Sequence, residues 1–235
     1  MTAVASKVTA EFEKTLDGIV ESGTTQELEA VQAQLKQRDL TDSNNAYMLA
    51  YTNWRLAHRL PRNEKKQRNK LLKEAQTLLD GIVEQNGGDA EALALRGAVI
   101  GDQITGAWSG MKLGARSKDD LEAARKLDPD NPRAMLLAGI SAFHTPATFG
   151  GGMDKSETAL EDATARFEST NDDSDNARRW PNWGQIDAYI WLGQVFETTE
   201  RPDQALELYE KALQLSPNHL WATQLRSNAL ATGQM

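Results

Sequence analysis

The sequence predicts an all-α protein: antiparallel helix hairpins stacked as an α-solenoid, with lengthened helix–helix elbows. Three observations carry this. The stretch from Ile186 to Asn218 reads Tyr189-x2-Leu192-Gly193-x2-Phe196, then Ala205-x3-Tyr209, Ala212 and Pro217. Small residues at 193 and 205 let two helices cross closely, large ones fill the groove around the crossing, and Pro217 closes the second helix. Similar small positions recur upstream, at Tyr51 and Ala75, Gly97 and Ser117, and Gly139 and Ser156. The N-terminal stretch has helical periodicity, with Val8, Phe12, Leu16, Ile19 and Val20 on one face.

In chain order, residues 1–42 read as two capping helices broken at Ser22-Gly23. Thr24 followed by Glu27 is a capping box, and Leu28, Val31 and Leu35 continue an apolar face. The stretch 43–88 is a degenerate hairpin with Tyr51 at the small position. Its second helix carries Ala75, Leu79 and Ile82, and Pro61 is placed at its elbow. A basic run from Arg55 to Lys73 contains Glu64 as its single acid. The stretch 89–130 opens on Asp89 as a cap, and Gly101, Gly106, Gly110 and Gly114 surround Trp108 and Met111. Helical turns are expected there despite the glycines, with close packing offsetting about 1 kcal/mol for each. The stretch 131–170 opens at Asn131-Pro132 and holds the elbow His144 to Gly152. A linker at 171–185, the hairpin 186–219 and a capping helix at 220–235 complete the chain, with Trp221 and Leu225 on the inner face of that helix.

The paired small positions are 12 residues apart in the last hairpin and 17, 20 and 24 apart in successively earlier ones. The elbows therefore lengthen toward the N-terminus. Equivalent elbows in a stack share one edge, so the basic run, the glycine-rich turns and the Phe149 loop are expected to form a ledge.

Composition limits the chemistry. The 235 residues include 40% hydrophobic side chains, enough for a core. A net charge of −8 argues against general nucleic-acid binding. The absence of cysteine excludes disulfides, thiolate metal sites and cysteine nucleophiles. No apolar run reaches the roughly 20 residues of a membrane span. Met1 to Ala10 lack the basic start and apolar run of a signal peptide, which leaves a cytoplasmic protein or a mature exported chain with a new start methionine.

Candidate chemical motifs are weak. Gly150-Gly151-Gly152 lacks the Lys-Ser/Thr of a phosphate loop and reads as a tight turn before a helix. His58, His144 and His219 lie in different hairpins without ligand spacing, so no metal site is expected. Asp172 to Asp175 lack the glycine and distal glutamate of a calcium loop and read as a solvated linker. Trp180 and Trp183 read as packing between hairpins, with a binding lip as the alternative. No catalytic residues and no cofactor are expected.

The Ile186–Asn218 spacing resembles a tetratricopeptide repeat. Thr145-Pro146-x2-Phe149-Gly150-Gly151, preceded by Gly110-Met111-Lys112-Leu113-Gly114, resembles an insertion found in bacterial tetratricopeptide-repeat proteins that are usually exported. Repeat lipoproteins associated with tripartite periplasmic (TRAP) transporters are similar in hairpin architecture. The resemblance implies a non-enzymatic scaffold or adaptor for a protein or peptide, located in the periplasm, with the cytoplasm as the alternative. It also leaves open a periplasmic carrier of a small molecule or lipid that serves a transporter. Repeat position places Arg133, Leu136, Ile140, Phe143 and His144 on the inner face, then Asp187, Ile190, Gln194 and Glu197. The elbows contribute Arg59, Arg62, Trp108, Met111 and Phe149 as further candidate contacts. Nucleic acid is not an expected partner, and self-association is left open.

Overall fold

Local signals in the sequence set several of the helix starts. Thr24 Oγ1 accepts from the Glu27 N–H while the Glu27 carboxylate accepts from the Thr24 N–H, so the capping box opens α2 (Thr25–Leu35). Asp42 and Asp89 side chains cap α3 (Ser43–Arg59) and α5 (Ala90–Gly101). Asn131 Oδ1 accepts from the Arg133 and Ala134 N–H groups, so α7 (Pro132–His144) begins with proline in its first turn. Pro202 likewise opens α10 (Pro202–Leu215). The remaining helices are α1 (Ala3–Ser22), α4 (Lys65–Asn86), α6 (Ala107–Leu127), α8 (Met153–Asn171), α9 (Gln185–Thr198) and α11 (Leu220–Thr232). This computed structural model describes residues 3–61, 63–86, 88–171 and 181–232. Among the described residues there are eleven α-helices in stacked pairs, one 3-10 turn (Ala147–Phe149) and no strand, against an expectation of about twelve helices. No described helix is long and apolar enough to cross a membrane.

The chain divides into two compact units. One comprises Gly23–Leu137, where α3 packs on α4 and α5 on α6, with α2 against α3 and α4 against α5. Its core includes Leu28, Leu35, Met48, Tyr51, Leu72, Leu79, Leu95 and Ile100, all essentially without solvent contact. The other comprises Met1–Ser22 and Ala138–Met235, where α9 packs on α10 and is flanked by α8, and α10 packs on α11. Leu16, Leu160, Ile190, Val195 and Tyr209 are fully buried there. The two N-terminal helices read from the sequence thus fall in different units.

At two of the paired small positions the hairpin helices touch directly. Ser117 Oγ donates to the Gly97 carbonyl at 2.7 Å, and Ser156 Oγ donates to the Gly139 carbonyl at 2.9 Å. A methyl group at residue 97 would meet Leu121 Cγ at 2.8 Å; one at residue 139 would meet Leu160 Cγ at 2.6 Å. In the last hairpin the neighbour of Gly193 is the Tyr209 ring, with Ala205 buried nearby in sequence.

The extra residues of the first repeat hairpin lengthen its helices: α3 and α4 run 17 and 22 residues against 14 and 14 for α9 and α10. Only five residues, 60–64, separate α3 from α4. One expectation is corrected. The glycine stripe of α6 is helical but not closely packed. A Cβ at Gly106 or Gly114 would meet nothing within 4 Å, and one at Gly110 would touch only Ile104 at 3.7 Å. The glycine turn after the 3-10 helix is tight: a Cβ at Gly151 would overlap Thr145 backbone, with the carbonyl carbon at 2.7 Å. The Gly152 N–H bonds back to the Ala142 carbonyl at 3.0 Å.

Candidate ligand-binding surface

In the unit of residues 1–22 and 138–235, helices α7, α9 and α11 each place large aromatics outside their buried stripe. On α9 the core stripe is Ile186, Tyr189, Ile190, Gly193 and Phe196, all buried. Trp191 lies beside that stripe and is only half-buried. Its ring meets Phe143 at 5.4 Å and His144 at 5.2 Å, both edge-on. Phe143 and His144 are themselves 5.2 Å apart, at the end of α7. On the other side Trp191 meets Trp221, at the start of α11, at 5.4 Å and 76°. Four rings from three helices thus form one strip in edge-to-face contact, a geometry worth about 0.5–1.5 kcal/mol per pair beyond area burial.

The strip is not sealed. Trp221 is 37% exposed, His144 is exposed, and Phe143 stays half-buried. Gln194 stands one turn from Trp191, three positions on, which places it on the same helix face. Its Nε2 is buried and has no hydrogen-bond partner among the described residues. An unpaired buried donor costs about 1–3 kcal/mol. The strip can therefore offer ring faces and edges to apolar groups.

The other sequence-derived candidates separate by environment. Leu136 and Ile190 are fully buried and belong to the core, because their faces pack against neighbouring helices. Asp187 is also buried, and Glu197 accepts from the Tyr209 hydroxyl at 2.7 Å. Burial, with this carboxylate as acceptor, pushes the Tyr209 phenol well above its ordinary range. Ile140 is half-buried. Arg133 is committed to Glu91: Nε lies 2.9 Å from both carboxylate oxygens, and Nη2 lies 2.6 Å from one of them. Asn131 Nδ2 donates to the same carboxylate, which makes Arg133 a brace between α5 and the start of α7. Arg59 donates to the Gly23 and Thr24 carbonyls, closing the turn before α2. Arg62, Asp172 to Asp175 and Trp180 lie outside the described residues, while Trp183 is buried.

Trp108 and Met111, in the unit of residues 23–137, are 77% and 75% exposed on the first turns of α6. Phe149, in the other unit, is 78% exposed on the 3-10 turn. His219 Nδ1 accepts from the Ala222 N–H and so helps cap α11. Among the described residues no group of His, Cys, Asp and Glu could hold a metal ion. Trp191 is the central ring of the strip, and sequence reasoning missed it. It occupies none of the signature positions, and a tryptophan next to a core isoleucine reads as packing.

Residues 186–219 match the family model described as tetratricopeptide repeat. No curated protein sequence matches the chain. The fold is similar to the HusA haemophore from Porphyromonas gingivalis, with a TM-score of 0.65 at 25% identity over 83% of this chain and 94% of that one. It is also similar to a thermophilic TPR protein of Thermus thermophilus, with a TM-score of 0.57 at 19% identity over 88% and 89% of the two chains. The repeat at 186–219 and the stacked helix pairs are thus of tetratricopeptide type.

Proposed function

We propose that this protein is a non-enzymatic scaffold of tetratricopeptide type, and that the strip Phe143, His144, Trp191 and Trp221 binds an apolar segment of a partner protein or peptide. The observation that carries the reading is a continuous set of four contacting rings left partly open to solvent beside an unpaired buried amide. Tryptophan and tyrosine dominate binding energetics because they bury large area with few rotatable bonds. The rings would take the side chains of the bound segment.

The test is selection of peptides from a random display library on the wild-type protein, followed by binding to a Trp191→Ser/Trp221→Ser variant. Loss of two central aromatics is expected to cost at least about 2 kcal/mol, roughly thirtyfold in Kd. Selected peptides that bind the folded variant equally well would move the site elsewhere.

A second reading is a carrier of a flat apolar molecule such as haem. It is favoured by the likeness to a haemophore and by ring edges aligned along one strip. Titration with haemin, read from its absorbance, separates the two. Saturable one-to-one binding lost in the double variant supports the carrier, and binding unaffected by that variant excludes this strip as the haemin site.

A further inference from the structure

The basic run has a structural counterpart in the unit of residues 23–137, where it places a stripe of lysines on α4. Lys66, Lys70, Lys73 and Thr77 stand at i, i+4, i+7 and i+11, forming one exposed stripe of α4 about 16 Å long. With Lys36 and Leu40, just past the end of α2, this stripe walls a trough of about 1200 Å³. Leu49 and Asn53 of α3, which packs against both α2 and α4, also line it, as does Leu78. Glu74 sits between the two walls, 3.8 Å from Lys36 and 3.9 Å from Lys70. These contacts are too long to be hydrogen bonds. Among the described residues Lys66 and Lys73 have no carboxylate partner.

A second observation points to a ligand. Asn53 is fully buried, and its Oδ1 accepts from Gln32 Nε2. Asn53 lines the trough, and its buried Nδ2 has no hydrogen-bond partner among the described residues. The trough thus combines a buried donor in need of an acceptor, a cationic stripe and three leucines. In a chain of net charge −8 this stripe is a local reversal of sign.

We propose that this trough is a second binding site, independent of the aromatic strip, and that it seats an acidic amphipathic helix of a partner protein. Helical spacing of the lysines matches carboxylates repeated at i, i+4 and i+7 on a facing helix. The leucines would receive the apolar residues that border those carboxylates. The trough is open to solvent, which suits a helix with its own exposed face. A lone acyl chain would be left half in water there.

The probe is a fluorescein-labelled peptide helix bearing glutamate at i, i+4 and i+7 with leucines alongside, compared with its lysine-for-glutamate counterpart by fluorescence anisotropy. The protein is used whole, as wild type, as Lys66→Glu/Lys70→Glu/Lys73→Glu, and as Leu40→Asp. These positions are exposed, and circular dichroism melts check that each variant folds. The expected result is saturable binding of the acidic peptide that weakens with salt, falls more than about tenfold in the triple variant, and falls in Leu40→Asp. The lysine peptide should not bind. Absence of binding, binding unchanged in the triple variant, or equal binding of both peptides would overturn the proposal. So would lysine-dependent binding to phosphatidylglycerol vesicles without binding to the peptide, which would make the stripe a membrane contact.

Discussion

Replacing Gly193 with alanine adds a single methyl group where the structure has no room for one. That Cβ would overlap Tyr209, with Cζ at 2.9 Å and Cδ1 at 3.0 Å. The obstacle is an aromatic ring with no solvent exposure, so it cannot swing aside as a surface chain would. Overpacking of this kind costs about 1–3 kcal/mol. Shifting the ring also endangers the Tyr209 hydroxyl bond to the Glu197 carboxylate, worth about 1.5–3 kcal/mol as a charge-assisted bond. Even partial loss brings the total to about 2–4 kcal/mol, a fall in Tm of roughly 4–16 °C for a chain of this size. Urea and thermal unfolding followed by circular dichroism give the measurement. Gly114→Ala is the matched control, because its Cβ would meet nothing within 4 Å in the middle of α6. That change should leave stability equal or raise it by about 0.5–1 kcal/mol. If Gly193→Ala is as stable as wild type, the helix register of the last hairpin is wrong.

Ser156→Ala removes a buried hydroxyl that bonds the Gly139 carbonyl, and should lower stability by about 0.5–1.5 kcal/mol, read from the urea midpoint. Thr24→Ala breaks the capping box of α2 and should cost about 0.5–2 kcal/mol by the same assay. The hydrogen bonds from Arg201 hold the Glu157 carboxyl below its ordinary range, against the opposing effect of burial. Because the folded value is depressed, this contribution is present above the unfolded carboxylate pKa of about 4.3. It is lost as pH falls through the folded value. Urea midpoints between pH 7 and 3 should therefore fall less steeply in Arg201→Gln than in wild type.

The crossing geometry was legible because it depends on residue size. Gly97, Gly139 and Gly193 could be picked out by spacing, and in the structure each is where a partner helix leaves no space for Cβ. Caps at Thr24 and Asp89 were equally readable, since each rests on a local hydrogen bond. Elbow architecture was not. Spacing counts residues between crossings and cannot say whether they lengthen helices, as in α3 and α4, or form a turn, as at Thr145 to Gly152. The aromatic strip was half legible: Phe143 and His144 followed from repeat position, but Trp191 and Trp221 join them only through packing across three helices. Arg133 and Arg59 look like surface cations in a sequence. Their acceptors, Glu91 and the Gly23 and Thr24 carbonyls, lie 42, 36 and 35 residues away.

The reading that the partner is held by the strip across α7, α9 and α11 is tested most directly by fluorine NMR of protein labelled with 5-fluorotryptophan. Resonances are assigned by replacing each tryptophan singly, and a display-selected peptide is titrated in. The Trp191 and Trp221 resonances should shift with the binding isotherm while that of Trp108, exposed on α6, stays in place. Shifts confined to Trp108, with Trp191 and Trp221 unmoved at saturation, would contradict the account and place the ligand on the α6 elbow.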